Sequence, residues 1–403
     1  MKLYRITLLL MVILALNLFG GTGKERKNYL PPIDMIGTGG AGVASYGKTG
    51  MIFMKPASVG ITPDYWKIII LDMGFSFNND MVKLANILSR IMEESKSGQS
   101  EDTFSDIPWE EVVKLKANFG ITGPISMGYI GQGFTFYLYD SLQTAFGLVP
   151  YVGMPYIDAL VFWDIGLVAG YSRKLPEEWM GFAEPVGIDE ISLGFLIKWI
   201  HRIKFQDERL NFLSAADTFM AMMQGSTNKG IDYANAFGLD LGTLIKWNEI
   251  GIGDMALGIA LKDLFLPFSW NRYNLEFQKM KSLDTNTAFS PSFDIGVSYV
   301  FTENYVEGIW NFIFYKPAFY FDIVNCFDFS ESFFNKLRLG AETKLFKFLA
   351  LRLGLNKGYF AWGLGIDIPV LKVDFAYYTE EFGSYPGSNP QEIYVINIGL
   401  RIL

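Results

Sequence analysis

The sequence predicts an all-β protein, a transmembrane antiparallel β-barrel, and three observations carry that reading. Half of the 403 residues are hydrophobic while only 19% are charged, with 34 Lys+Arg against 42 Asp+Glu for a net charge of −8. An average globular chain carries about 25% charged residues. Second, the apolar residues past position 60 alternate with polar or small ones in runs of about ten residues, the length and period of a membrane-crossing strand. Third, the chain has one long apolar run, Leu8 to Phe19, whereas a helical membrane protein needs several of about 20 residues.

The same composition excludes other classes. High hydrophobicity with modest net charge rules out a disordered chain. A net negative chain has no basic excess for phosphates, so no nucleic-acid partner is expected. The single cysteine, Cys326, excludes an internal disulfide framework and any multi-cysteine metal site. No cofactor is expected, and an enzyme is not: His201 is the only histidine, and no Gly-x-Ser-x-Gly elbow occurs. Acidic pairs such as Glu177-Glu178 and Glu380-Glu381 read as solvated loop charge, and Cys326 as a small hydrophobe.

In chain order, Lys2 and Arg5 precede the apolar run, and Gly20, Gly21 and Gly23 follow it. That pattern reads as a secretory signal peptide over residues 1–23, with a membrane anchor as the alternative. Residues 24–62 form a second region. Gly37, Gly39, Gly40 and Gly42 cluster there without the lysine and hydroxyl residue that end a phosphate loop. Such a permissive stretch can fold back into a cramped space, which makes it a candidate hatch or plug. Phe53, Lys55 and Pro56 lead to a turn before the first long strand, Trp66 to Asn78. Residues 63–403 are the barrel.

Helical insertions are expected near 79–116 and 210–224. Met81, Leu84, Ala85, Leu88 and Ile91 recur at the spacing of an amphipathic helix. A short helix is expected from Pro108 to Lys116, and another from Phe212 to Met223; these read as loop packing, with a ligand gate as the alternative. The strands then alternate clearly. Ile191 to Trp199, Phe237 to Thr243, Met255 to Leu261 and Phe293 to Phe301 each place apolar residues on one face. On the other face stand residues such as Gly194, Lys198, Asp240, Gly242, Gly258 and Gly296. Leu337 to Leu345, Leu349 to Leu355, Phe360 to Ile366, Leu371 to Tyr377 and Tyr394 to Ile402 continue the series. The small-residue face suits a lumen, and the apolar face suits lipid. Aromatic residues near strand ends, Trp163, Trp199, Trp247, Trp270, Tyr299, Trp310, Tyr377 and Tyr378, are expected to form interfacial girdles. A soluble β-sandwich is the alternative, but its strands are usually about 5 or 6 residues.

Gly39-Gly40-Ala41-Gly42-Val43-Ala44, followed by Phe53 and Pro56-Ala57, resembles the opening of the FadL family of long-chain fatty-acid transporters and of related PorV-type outer-membrane proteins. Lys55 stands where those families favour Asn, and Ser58-Val59 where they favour Gly-Leu. Phe237 to Gly242 with Leu257 to Leu264, and the later strands from Leu339 to Tyr378, are similar to the PorV-like side. The resemblance implies a barrel of about 14 strands, an N-terminal hatch, and the cell outer membrane with its lipid as surroundings.

Two groups of candidate residues follow. Gly37, Gly39, Gly40, Gly42, Phe53, Lys55 and Pro56 would form a hatch on a ligand path. Arg338, Glu342, Lys344, Arg352, Asp367 and Asp374, with Lys372, would form a lumen charge network; plain filling of the lumen is its simpler role. The expected function is uptake of hydrophobic small molecules such as fatty acids or detergent-like compounds. The alternative is a PorV-like scaffold that binds a protein partner in export or surface assembly.

Overall fold

A computed structural model describes residues 23–24, 33–46, 55–61, 66–96, 115–149, 156–182, 184–211, 230–274, 278–303, 305–306, 308–382 and 385–402. Most of them belong to one antiparallel sheet that closes on itself as a barrel of 14 strands. We number them along the chain. Strand β1 is Trp66–Asn78, β2 is Lys116–Thr122 continued by Met127–Gly131, β3 is Phe134–Val149, β4 is Tyr156–Lys174 and β5 is Glu190–Asn211. Next come β6, Ile231–Ile250; β7, Gly253–Leu264 continued by Pro267–Tyr273; and β8, Lys279–Ala288 continued by Ser292–Phe301. The last six are β9, Phe314–Ile323; β10, Leu337–Leu345; β11, Leu349–Asn356; β12, Tyr359–Asp367; β13, Leu371–Glu381; and β14, Pro390–Ile402.

Each strand pairs with its sequence neighbour, and β14 closes the cylinder by pairing antiparallel with β1 from Ile393↔Asn78 to Ile402↔Ile68. Closure leaves no free sheet edge across the low wall, the condition for a sheet to cross a bilayer. The outer face meets the other condition. Leu193, Phe195 and Ile197, Phe319 and Phe321, Leu339, Leu353 and Leu355, and Ile396, Ile398 and Leu400 are all exposed apolar residues pointing away from the lumen.

The wall is uneven. Strands β9 to β12 have 8 to 10 residues, close to the roughly 9–11 that a tilted strand needs to cross an apolar band of about 25 Å. Exposed aromatics bracket this low wall: Phe329, Phe333 and Phe334 above it, Trp310, Phe312 and Phe346 below. Strands β4, β5 and β6 have 19, 22 and 20 residues and rise past the band. At that height β8 has no β9 beside it, because β9 stops at Ile323 opposite Ile295. Gly23–Lys24 lies parallel to Thr287–Ala288 there.

The inner face of the tall wall is closed by side chains. Arg202 is fully buried and grips Asp164 with two hydrogen bonds, Nε to Oδ1 at 2.8 Å and Nη2 to Oδ2 at 2.7 Å. The rings of Phe162, Phe268 and Phe289 surround its guanidinium at 4.9, 5.0 and 5.1 Å. A buried cation is tolerated when paired and hydrogen-bonded, and the ring faces add cation–π attraction.

Several local expectations are corrected. Trp270 and Tyr378 are buried on the inner side, so they belong to packed clusters rather than to a girdle. His201 lies within β5, which runs on to Asn211; on the outer face its Nδ1 lies 3.0 Å from Asn235 Oδ1. Glu380 and Glu381 end β13 rather than sitting in a loop. A helix, α1, spans Ile33–Ile36 and another, α2, Asn79–Lys96. Lys116 begins a strand, while residues 108–114 of the expected short helix lie outside the described residues. Residues 210–211 are strand, and 212–224 lie outside them, as do residues 1–22 of the expected signal peptide and Phe53.

Candidate functional site: the lumen and the N-terminal segment

Inside the barrel, the segment before β1 runs round the inner wall against the strand order. Helix α1 packs on β12 to β14, with Ile33 and Ile36 against Ala361, Ala376, Tyr378 and Val395. Thr38 and Gly39 then lie over Gly340 and Gly354, and Ala41 packs on Ala318 and Tyr320. Val43 sits over Gly296 and Gly258, where Ala44 O accepts a hydrogen bond from Ser298 Oγ at 2.9 Å. Pro56 covers Gly194 and Gly242, and Gly60 rests against Ser192 and Arg173. From there the chain leads to Trp66.

What lets it pass is a track of inward-facing glycines. Gly340 pairs across the sheet with Gly354, Gly296 with Gly258, and Gly194 with Gly242. A Cβ at Gly340 would stand 2.5 Å from Thr38 O, and one at Gly194 2.5 Å from Pro56 O. Any larger residue there would occupy the space of the segment's backbone. Gly39 itself has φ +70°, and a Cβ on it would meet Leu339 O and Leu355 O, so glycine is required twice over.

Charge fixes the segment at two places. Asp322, on β9, accepts the Gly42 and Val43 amides on one oxygen at 2.5 and 2.8 Å. Across the lumen, Asp34 accepts from Lys372 Nζ at 3.0 Å. Lys372 also lies 3.0 Å from Asp374, and Arg352 donates to Asp374 at 2.6 Å and to Glu342 at 2.7 Å. The wall group of Glu342, Arg352, Lys372 and Asp374 therefore has two charges of each sign without the segment. Lys55 is different. It is completely buried over Gly258, and its Nζ has no hydrogen-bond partner among the described residues. Burial pushes its pKa well down, with Asp322 opposing the shift. Burial likewise raises the Tyr46 hydroxyl.

Of the expected charge network, the structure joins Arg352, Glu342 and Asp374. It joins Lys344 to Asp367 at 2.7 Å, with Arg401 on the same carboxylate. Arg338 stands apart, donating to the Asn335 and Leu337 carbonyls at 2.8 Å. Further lumen pairs are Lys262–Asp294 at 2.6 Å and Lys198 between Asp240, at 2.7 Å, and Asp263. Alternation already set Lys198 and Asp240 on the small-residue face. Asp263 was hidden by a bulge: β6 and β7 slip register between Leu239 and Leu241, and Asp263 has φ +58°. Of the expected hatch residues, Gly37, Gly39, Gly40, Gly42, Lys55 and Pro56 all belong to the inner circuit. Gly37 lies against Arg352 and Gly363, and Gly40 near Arg338.

Fold and lumen together define a transmembrane β-barrel with a stretch of its own chain threaded inside. No protein-family model and no curated protein matches the sequence. Among solved structures, the chain is similar to the TodX deltaS2S3 mutant monoaromatic hydrocarbon channel, at 10% identity and TM-score 0.47, over 92% of this chain and 97% of that one. It is also similar to the Pseudomonas putida toluene transporter TodX, at 11% and 0.45, over 94% and 98%. A Pseudomonas aeruginosa FadL homologue matches at 11% and 0.43, over 93% and 99%. What the barrel does is argued from its own residues.

Proposed function

We propose that the chain is an outer-membrane barrel for the uptake of hydrophobic small molecules, with residues 33–61 as its hatch. The observation that carries this is the material inside the barrel: a polypeptide on a glycine track, rather than wall side chains alone, fills the lumen. Such a filling can move without dismantling the wall. The wall group at Arg352 and Lys372 stays neutral if Asp34 leaves, so release exposes no net charge there. The apolar outer face and the aromatic brackets of the low wall support the membrane setting. Long connections after β1 and β5 put that end outside the cell, and the shorter turns face the periplasm.

The test is reconstitution into lipid vesicles, comparing wild type with a variant lacking residues 37–42. Entry of a fatty acid is read by an internal probe, and escape of a small polar dye is read in parallel. Deletion is expected to raise dye leakage and to alter fatty-acid entry. If neither changes, the hatch reading fails, and the scaffold alternative with a protein partner gains, since fixed buried ion pairs suit a static filling equally well.

A further inference from the structure

The outer face of the low wall carries a groove of about 540 Å³ that the uptake reading does not use. Its origin is one small residue among large ones. Along one cross-strand row stand Tyr299, Phe319, Ala341 and Leu353. The row above it holds Val297, Phe321, Leu339, Leu355 and Phe360. Ala341 leaves a dip between Phe319 and Leu353, both more than half exposed at 54% and 55%. The groove lies near the strand tops, since Leu339 is two residues from the start of β10 and Phe360 one from the start of β12. It therefore falls in the leaflet on the long-loop side, directly below the loop bearing Phe329, Phe333 and Phe334.

Gly340 and Gly354 also line it, and on their inner side those residues carry Thr38 and Gly39. At this spot only the backbone of the wall separates lipid from the N-terminal segment.

We propose that the groove holds one acyl chain of a lipid in that leaflet. Its place on the continuous lipid-facing surface names the occupant, because everything that reaches it comes through hydrocarbon. Burial from water contributes nothing inside a bilayer, where tails are as apolar as the wall. Retention comes instead from van der Waals contact on a rigid, concave aromatic surface, where a chain meets atoms on several sides rather than one.

The experiment uses the full-length barrel in nanodiscs of dioleoyl phosphatidylcholine, released into mild detergent and weighed by native mass spectrometry. Wild type is expected to keep one lipid, and Ala341→Phe, which fills the dip, to lower the retained fraction about tenfold. Leu353→Trp, closing the groove from the other side, is a second variant should Ala341→Phe not insert. Heat-modifiable gel migration shows that each variant is a closed barrel; a wild-type chain that never inserts overturns the membrane reading as well. Equal retention in wild type and a folded variant overturns the site. So does wild type running as a dimer that Ala341→Phe dissociates, since the groove is then an interface between copies. Loss of the retained lipid on adding free oleic acid, equally in wild type and variant, places it in the lumen instead.

Discussion

At the scale of the residue, particular lumen positions are fixed in size or charge by what lies against them. Gly354 sits under the Thr38–Gly39 backbone, and Gly354→Val would force either the strand or the segment to yield. Overpacking of this kind costs about 1–3 kcal/mol, so its thermal midpoint in detergent is expected to fall, with residues 33–46 becoming open to protease. Arg352 faces a different penalty. It is 4% exposed and serves two carboxylates, so Arg352→Met leaves Glu342 and Asp374 beside Lys372 alone. Removing one partner from a buried cluster costs roughly 3–5 kcal/mol, and the variant is expected to unfold well before Gly354→Val. Equal midpoints for wild type and Arg352→Met would show that water enters the cluster and screens it. Sequence alternation marked Arg352 and Glu342 as inward, since they stand on one face of β10 and β11. It could not mark Asp34 as part of the same cluster, because its contact with Lys372 spans 338 positions of chain.

At the scale of the element, the strands from β10 to β14 were legible because apolar and polar or small residues alternate along each. The taller strands hide more. β2, β7 and β8 each come in two pieces, and a break slips the cross-strand register without any sign in the alternation. Phe268 and Trp270 keep the inward parity of Gly258 and Lys262, but only the slipped register sets Phe268 on Arg202 with Trp270 stacked beside it, under Lys204. The end of β13 shows a similar gap. Glu381 is buried at 2% exposure and accepts from Tyr359 Oη at 2.8 Å and from the Gly387 and Asn389 amides at 2.7 Å each. One carboxylate thus gathers the connection to β14, something an acidic pair in a sequence does not announce. Glu381→Ala is expected to make that connection a protease-sensitive site while the barrel keeps its heat-modifiable migration. If limited proteolysis leaves it intact, the loop is held by its other contacts and Glu381 is dispensable.

At the scale of the whole molecule, the segment over residues 33–61 touches strands on both sides of the lumen, so its seating is a property of the entire barrel. Glycine content and a missing phosphate-loop pattern hinted at a folded-back stretch; the track itself needed cross-strand register, which pairs Gly340 with Gly354 and Gly194 with Gly242. Lys55 gives this seating a pH dependence whose sign follows from its environment. Burial lowers its pKa from the ordinary 10.5, outweighing the pull of Asp322. The seated state then binds fewer protons than the released one, so seating strengthens as pH rises. Below the lowered value both states are charged and the full cost of burying the cation applies. That cost is relieved between the lowered value and 10.5, where only the released lysine holds its proton. Lys55→Met removes the proton from the balance: the variant is expected to be the more stable at neutral pH, with a flatter rise toward alkaline pH. Protease protection of residues 33–46, followed across pH in both proteins, checks it. Other lysines and tyrosines titrate in the same range, so the decisive quantity is the difference between the two curves. Parallel curves would mean that Lys55 keeps its charge in the seated barrel, solvated by water between it and Asp322.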